Sequence, residues 1–192
     1  MSNTSSRRSK LFAVGAFALA ASLCGVGGCG GSAGPDPTVD TGSEFIALGP
    51  AFEDYCNWEQ FAIPDEPAIG GVHLAGPKTD FLNQRPPHGS TSFPMGTIIV
   101  KVVDVGDVAA RQVFAMVKRG GTFDQSLGAP GWEFFELYQD ATGCFSKINW
   151  RGYGPPNGSE SYGGDPMVCI GCHSTAKNND YVQSPPLQLS NF

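Results

Sequence analysis

The sequence predicts a mainly β fold (α+β), an antiparallel sheet packed with a few short helices. Two observations carry this. The 192 residues include 26 Gly and 15 Pro, about twice the usual Gly share with a high Pro share. Gly loses the most backbone entropy in a helix, and Pro lacks an N–H and clashes with the preceding turn. A four-helix bundle is thereby excluded for most of the chain. The second observation is a series of short β-branched and aromatic runs separated by Gly- or Asp-containing turns. The hydrophobic fraction of 41% and the 13 Phe exclude a disordered chain, and the length fits one compact domain.

Taken in order, residues 1–28 read as an export signal. Arg7, Arg8 and Lys10 form a basic start, and Leu11–Leu23 is an apolar run too short to span a bilayer comfortably. Val26-Gly27-Gly28-Cys29 resembles the lipobox of bacterial lipoproteins, which makes Cys29 the lipidated first residue of the mature chain. Cys24 fits worse, because bulky Leu23 precedes it. The alternative is ordinary cleavage nearby with a soluble product, and Arg7-Arg8 is a partial match to twin-arginine export. Residues 29–43 are rich in Gly, Ser, Pro, Asp and Thr and read as a flexible tether. The folded domain is then 44–192, on the periplasmic side of a bacterial membrane and held there by the lipid alone. The signal takes three basic residues with it, so nine basic residues face eighteen acidic ones, a net charge of −9. That balance excludes nucleic acid as a partner, since basic patches dominate such binding.

Within the domain, Glu44–Phe61 is expected to be helical before Pro64. Thr97–Val105 is β-branched almost throughout and follows the Pro94-Met95-Gly96 turn, so it reads as a strand. Gln112–Lys118, Gly131–Tyr138 and Cys144–Trp150 read as three more. One or two helical turns are expected around Met167–Ala176. No internal repeat and no second domain is evident.

Chemistry is concentrated near the C-terminus. Cys169-Ile170-Gly171-Cys172-His173 is a C-x-x-C-H, which in an exported protein is the attachment motif of haem c. Two thiols three positions apart suit the two vinyl groups along one porphyrin edge, and the adjacent His173 is placed to ligate the iron. A thioredoxin-like reading would need a βαβ context that is missing here. A zinc site would need two more ligands at suitable spacing. Cys56 and Cys144 form an even remainder, which favours a disulfide outside the cytoplasm over two buried thiols. After His173 the chain has 19 residues without Met or His. A sixth iron ligand would therefore come from Met95, Met116, Met167, His73 or His88 upstream, and the economical reading is an open iron position that takes small ligands.

Two lysines interrupt apolar strand faces. Lys101 shares its face with Ile99, Val103 and Val105, and Lys118 with Phe114 and Met116. Each is either an edge-strand lysine pointing to solvent or a desolvated amine beside the haem, readily deprotonated and nucleophilic.

Phe93-Pro94-Met95-Gly96-Thr97-Ile98-Ile99-Val100-Lys101, Phe114-Ala115-Met116-Val117-Lys118, Gly131-Trp132-Glu133-Phe134-Phe135-Glu136 and the run from Cys169 to Val182 together resemble the cytochrome P-460 family. The resemblance spans roughly residues 50–185 and is weak before residue 90. It implies a mainly β protein with one covalent haem c, a five-coordinate iron and oxidation of hydroxylamine or a related small nitrogen species. It also implies a lysine bonded to the porphyrin edge, here Lys101, and a carboxylate proton relay a little upstream of the haem motif, here Glu160. The related cytochrome c-prime-beta proteins lack the cross-link and bind nitric oxide or carbon monoxide. Three functions are thus in play: a hydroxylamine oxidoreductase, a nitric oxide or carbon monoxide binder without turnover, and a tethered electron-transfer cytochrome. A redox partner such as a small cytochrome c and a homodimer also follow from the resemblance.

Overall fold

The structure, a computed structural model, describes residues 43–66, 68 and 72–192. The export signal, Cys29 and nearly all of the tether lie outside the described residues. Seven strands form one sheet whose order follows the chain. They are β1 (Glu59–Glu66), β2 (Gly76–Leu82), β3 (Ile98–Val103), β4 (Gln112–Lys118), β5 (Trp132–Gln139), β6 (Phe145–Gly152) and β7 (Tyr162–Gly163). Neighbours are antiparallel through β6, and β7 runs parallel to β6. Among the described residues the one α-helix, α1 (Cys169–His173), runs on into a 3-10 stretch over Ser174–Asn179. Among the described residues, no helix is long and apolar enough to cross a membrane.

The four strands expected from β-branched patterning fall on β3 to β6, and the expected C-terminal helical turns fall on α1 and its extension. The helix expected over Glu44–Phe61 is a correction. That segment makes two 3-10 turns, Gly49–Ala51 and Tyr55–Asn57, and from Glu59 it is already β1. Gly49 and Pro50 interrupt a regular helix, and the segment gains more by burying Ala47, Phe52 and Tyr55 on the sheet, all fully covered.

That burial defines one of two cores. On one sheet face, Ala47, Phe52 and Tyr55 pack against Val100, Ala115, Val117 and Phe135. On the other face, the C-terminal segment packs Ile170, Val182, Leu187 and Leu189 against Ile99, Met116, Trp132 and Phe134. The sheet is covered on both sides, which explains strands that are apolar throughout rather than alternating. Glu133, fully buried on the first face, is paired with Arg151 at 2.7 Å and Arg119 at 3.3 Å. Arg151 also donates to Ala47 O, and Arg119 pairs with Glu44, so this charge cluster fastens the N-terminal segment. Cys56 and Cys144, 88 positions apart in sequence, are joined in a disulfide. Closing so long a loop contributes about 4.6 kcal/mol by the chain-entropy argument.

Glycine is required where β6 leaves the sheet. A Cβ on Gly163 would overlap the Gly154 carbonyl, and one on Gly152 would overlap the backbone of Gly163. Three backbone segments meet there without side chains between them, and α1 follows directly.

Asp124 lies in the turn between β4 and β5 with φ 55° and is nearly buried. Burial pushes its carboxyl up to about 6, partly offset by the Leu127 backbone N–H. A carboxyl with a higher folded pKa stabilises the fold while protonated, and that stabilisation is lost as pH rises from the ordinary carboxylate range through about 6. Asp124→Asn is therefore expected to raise the melting temperature over wild type at pH 8, with the gap closing at pH 4.5. A gap equal at both pH values would contradict this.

Candidate functional site

A cavity of about 320 Å³ lies between the second sheet face and the C-terminal segment. Its walls are mainly apolar, including Ile99, Phe114, Met116, Phe134, Trp150 and Val182. Cys169, Cys172 and His173 line it from α1, where spacings of three and four residues put them on one helix face. Lys101 lines it from β3. Residues far apart in sequence thus meet at one place.

His173 is oriented with care. Its Nδ1 lies 2.7 Å from Tyr181 O, and a carbonyl only accepts, so the neutral ring carries its proton on Nδ1 and presents a lone pair at Nε2. Burial, opposed by that hydrogen bond and helped by the Lys101 charge, pushes His173 down to about 4. Its ring rests 4.9 Å from the ring of Phe134.

The Tyr181 carbonyl is held by an unusual stretch of backbone. Asp180 and Tyr181 both have positive φ, 48° and 67°, which costs on the order of 1–3 kcal/mol each for a non-glycine residue. Asp180 is fixed by Lys118 Nζ at 2.7 Å and by the Phe93 N–H at 2.8 Å. The Asn179 side chain donates to Val182 O and Leu187 O and accepts from the Leu189 N–H. Gln183 donates to Cys172 O and to Thr175 Oγ1.

The two lysines separate here. Lys118 stands over the Trp132 ring and pairs with Asp180, a structural post outside the cavity wall. Lys101 sits on the third of seven strands, so the solvent-pointing edge-strand reading does not hold for it. Directly opposite on β2 is Asp80, fully buried. Lys101 Nζ lies 4.0 Å from Asp80 Oδ1 and donates to Gln183 O at 3.5 Å.

Glu160 is not brought to this place. Residues 157–162 run along the surface, and the side chain is exposed. The carboxylate in the cavity wall is Asp80 instead. Of the upstream residues considered as iron ligands, His73, Met116 and Met167 line the cavity, whereas Met95 and His88 do not. Burial, then the charges of Lys101, His173 and Lys78, pushes His73 down to about 4.

Burial, then the neighbouring Cys172 and Asp165, pushes the Cys169 thiol up to about 12. A reactive C-x-x-C thiol is ordinarily shifted the opposite way. Among the described residues, no group of three or more His, Cys, Asp or Glu side chains is arranged to hold a metal ion by itself.

No family model matches the chain, and no curated protein or solved structure does.

Asp180→Ala is expected to strand Lys118 without its partner and release the turn that aims the Tyr181 carbonyl. The loss should be about 3 kcal/mol in urea unfolding, and Asp180→Asn, which keeps the hydrogen-bonding shape, should lose less. Equal stability of Asp180→Ala and wild type would contradict the clamp.

Proposed function

We propose that this chain is an exported, lipid-anchored c-type cytochrome with one covalent haem, similar to cytochrome P-460, acting on hydroxylamine or a related small nitrogen species. The observation that carries the reading is the orientation of His173. A C-x-x-C-H histidine with Nδ1 tied to a backbone carbonyl and Nε2 free is arranged as an iron ligand. The lining fits the group, because the walls are mainly apolar and both cysteines line the cavity beside that histidine. In this reading Cys169 and Cys172 hold the haem, His173 ligates the iron, and Lys101 lies beside the group as the cross-link candidate.

When bound, the haem supplies an iron that accepts electrons and an open position for a small ligand. The chain's own residues do the rest. The apolar walls limit water, and Gln183 O and Asp80 position the Lys101 amine. The proton-accepting role that the resemblance gives to Glu160 falls to Asp80, the carboxylate in the wall. The electrons leave to a redox partner such as a small cytochrome c, and a homodimer is part of the same proposal.

The exposed position of Glu160 favours a second reading, in which the protein binds nitric oxide or carbon monoxide without turnover. Denaturing mass spectrometry of the haem peptide is expected to carry a Lys101-containing fragment along with Cys169–Cys172. Steady-state assays with hydroxylamine and an electron acceptor are expected to show turnover that drops about a hundredfold in Asp80→Asn at unchanged haem content. Carbon monoxide binding without any turnover, and a haem peptide free of Lys101, would leave the second reading standing. Failure of the ferrous protein to bind carbon monoxide would leave the tethered electron-transfer reading.

A further inference from the structure

We propose that His73 is the residue that hydrogen-bonds the small ligand at the iron position His173 leaves open. The inference rests on the haem reading above. His73 comes from the segment just before β2 and lines the same cavity as His173, Lys101 and Asp80. Its Nδ1 is buried and has no hydrogen-bond partner among the described residues. Buried polar atoms in folded proteins ordinarily have one, and this ring lines the cavity, where a bound ligand would supply it.

The contrast with His173 decides which partner. A metal-ligating histidine is ordinarily held by a hydrogen bond through its second ring nitrogen, as His173 is by Tyr181 O. Among the described residues His73 Nδ1 has no such bond, and the ring is positioned by packing instead. Its ring stands edge-on to Phe114, with centroids 4.9 Å apart at 86°, and the Leu74 N–H next in the chain is held by Gln112 Oε1 at 2.8 Å. The two imidazoles also rest on different supports. Phe114 under His73 and Phe134 under His173 lie on neighbouring strands, offset by two residues on one sheet face. A ring placed by packing beside the site, with no anchor behind it, suits a hydrogen bond to an iron-bound ligand better than a bond to the iron.

Carbon monoxide on the ferrous full-length protein is the probe. His73→Phe is expected to raise the C–O stretching frequency and to speed carbon monoxide dissociation about tenfold, the effect of one hydrogen bond. His73→Gln, which keeps an N–H, is expected to stay near wild type. In wild type, transfer to heavy water should shift the iron–ligand vibration, a measurement that needs no variant. A frequency and dissociation rate that ignore His73→Phe would overturn the proposal, as would a heavy-water shift that persists in that variant and so belongs to Lys101. A low-spin six-coordinate ferric wild type that becomes high-spin in His73→Phe would make His73 an axial ligand, and this too would overturn it. If denatured wild-type protein carries no covalent haem, the haem reading itself falls, and this proposal with it.

Discussion

The hydrogen bond from His173 to the Tyr181 carbonyl is the constraint on which the site depends. It determines which ring nitrogen faces the cavity, and it requires the chain to turn back sharply eight residues after the histidine. Two consecutive left-handed residues make that turn, and neither is glycine. They persist because Asp180 is held from two sides, by a lysine on β4 and by the backbone N–H of Phe93. Local strain beside the imidazole is thus carried by contacts spread over three parts of the fold.

The sheet gives that arrangement a rigid floor. With a core on each face, β3 to β5 are internal strands and cannot shift register without moving two sets of buried side chains. The N-terminal segment, the disulfide and the Glu133 charge cluster secure one face, and the C-terminal segment secures the other. Lys101 belongs to the middle of this floor. Its position opposite Asp80 is set by strand pairing and not by a mobile loop, the kind of support a precise site needs.

Much of the fold was legible in the sequence, and the illegible parts have physical causes. The strands rich in valine, isoleucine and phenylalanine were readable because burial on both faces keeps them apolar. β2 was not, because its inward face carries Lys78, Asp80 and Leu82. Charges that belong to a buried site look like those of a solvated loop. The Glu44–Phe61 segment misled for the opposite reason, since apolar residues packed through irregular turns imitate a helical stripe. The C-x-x-C-H motif was readable from spacing, and Lys101 and Lys118 alike from strand alternation, the preference for Lys101 coming from the resemblance. Asp80 was hidden with its strand, and Glu160 came from the resemblance through its place upstream of the C-x-x-C-H, which says nothing about the path of a surface loop. The Tyr181 carbonyl is a backbone atom. The one trace it left is Asn178-Asn179-Asp180, residue types that tolerate left-handed backbone more readily than most.

The glycines where β6 leaves the sheet have a consequence for anyone mapping this protein by exhaustive substitution. At Gly152 and Gly163 even a methyl group would collide with backbone, so alanine would be rejected as firmly as tryptophan. Such positions would score beside residues with a chemical role in any functional screen while lying outside the cavity wall. Their profile would still be distinguishable. A chemical role tolerates some mimics and fails on others, whereas a site that admits only an achiral residue fails on all of them alike, and in expression level as much as in activity.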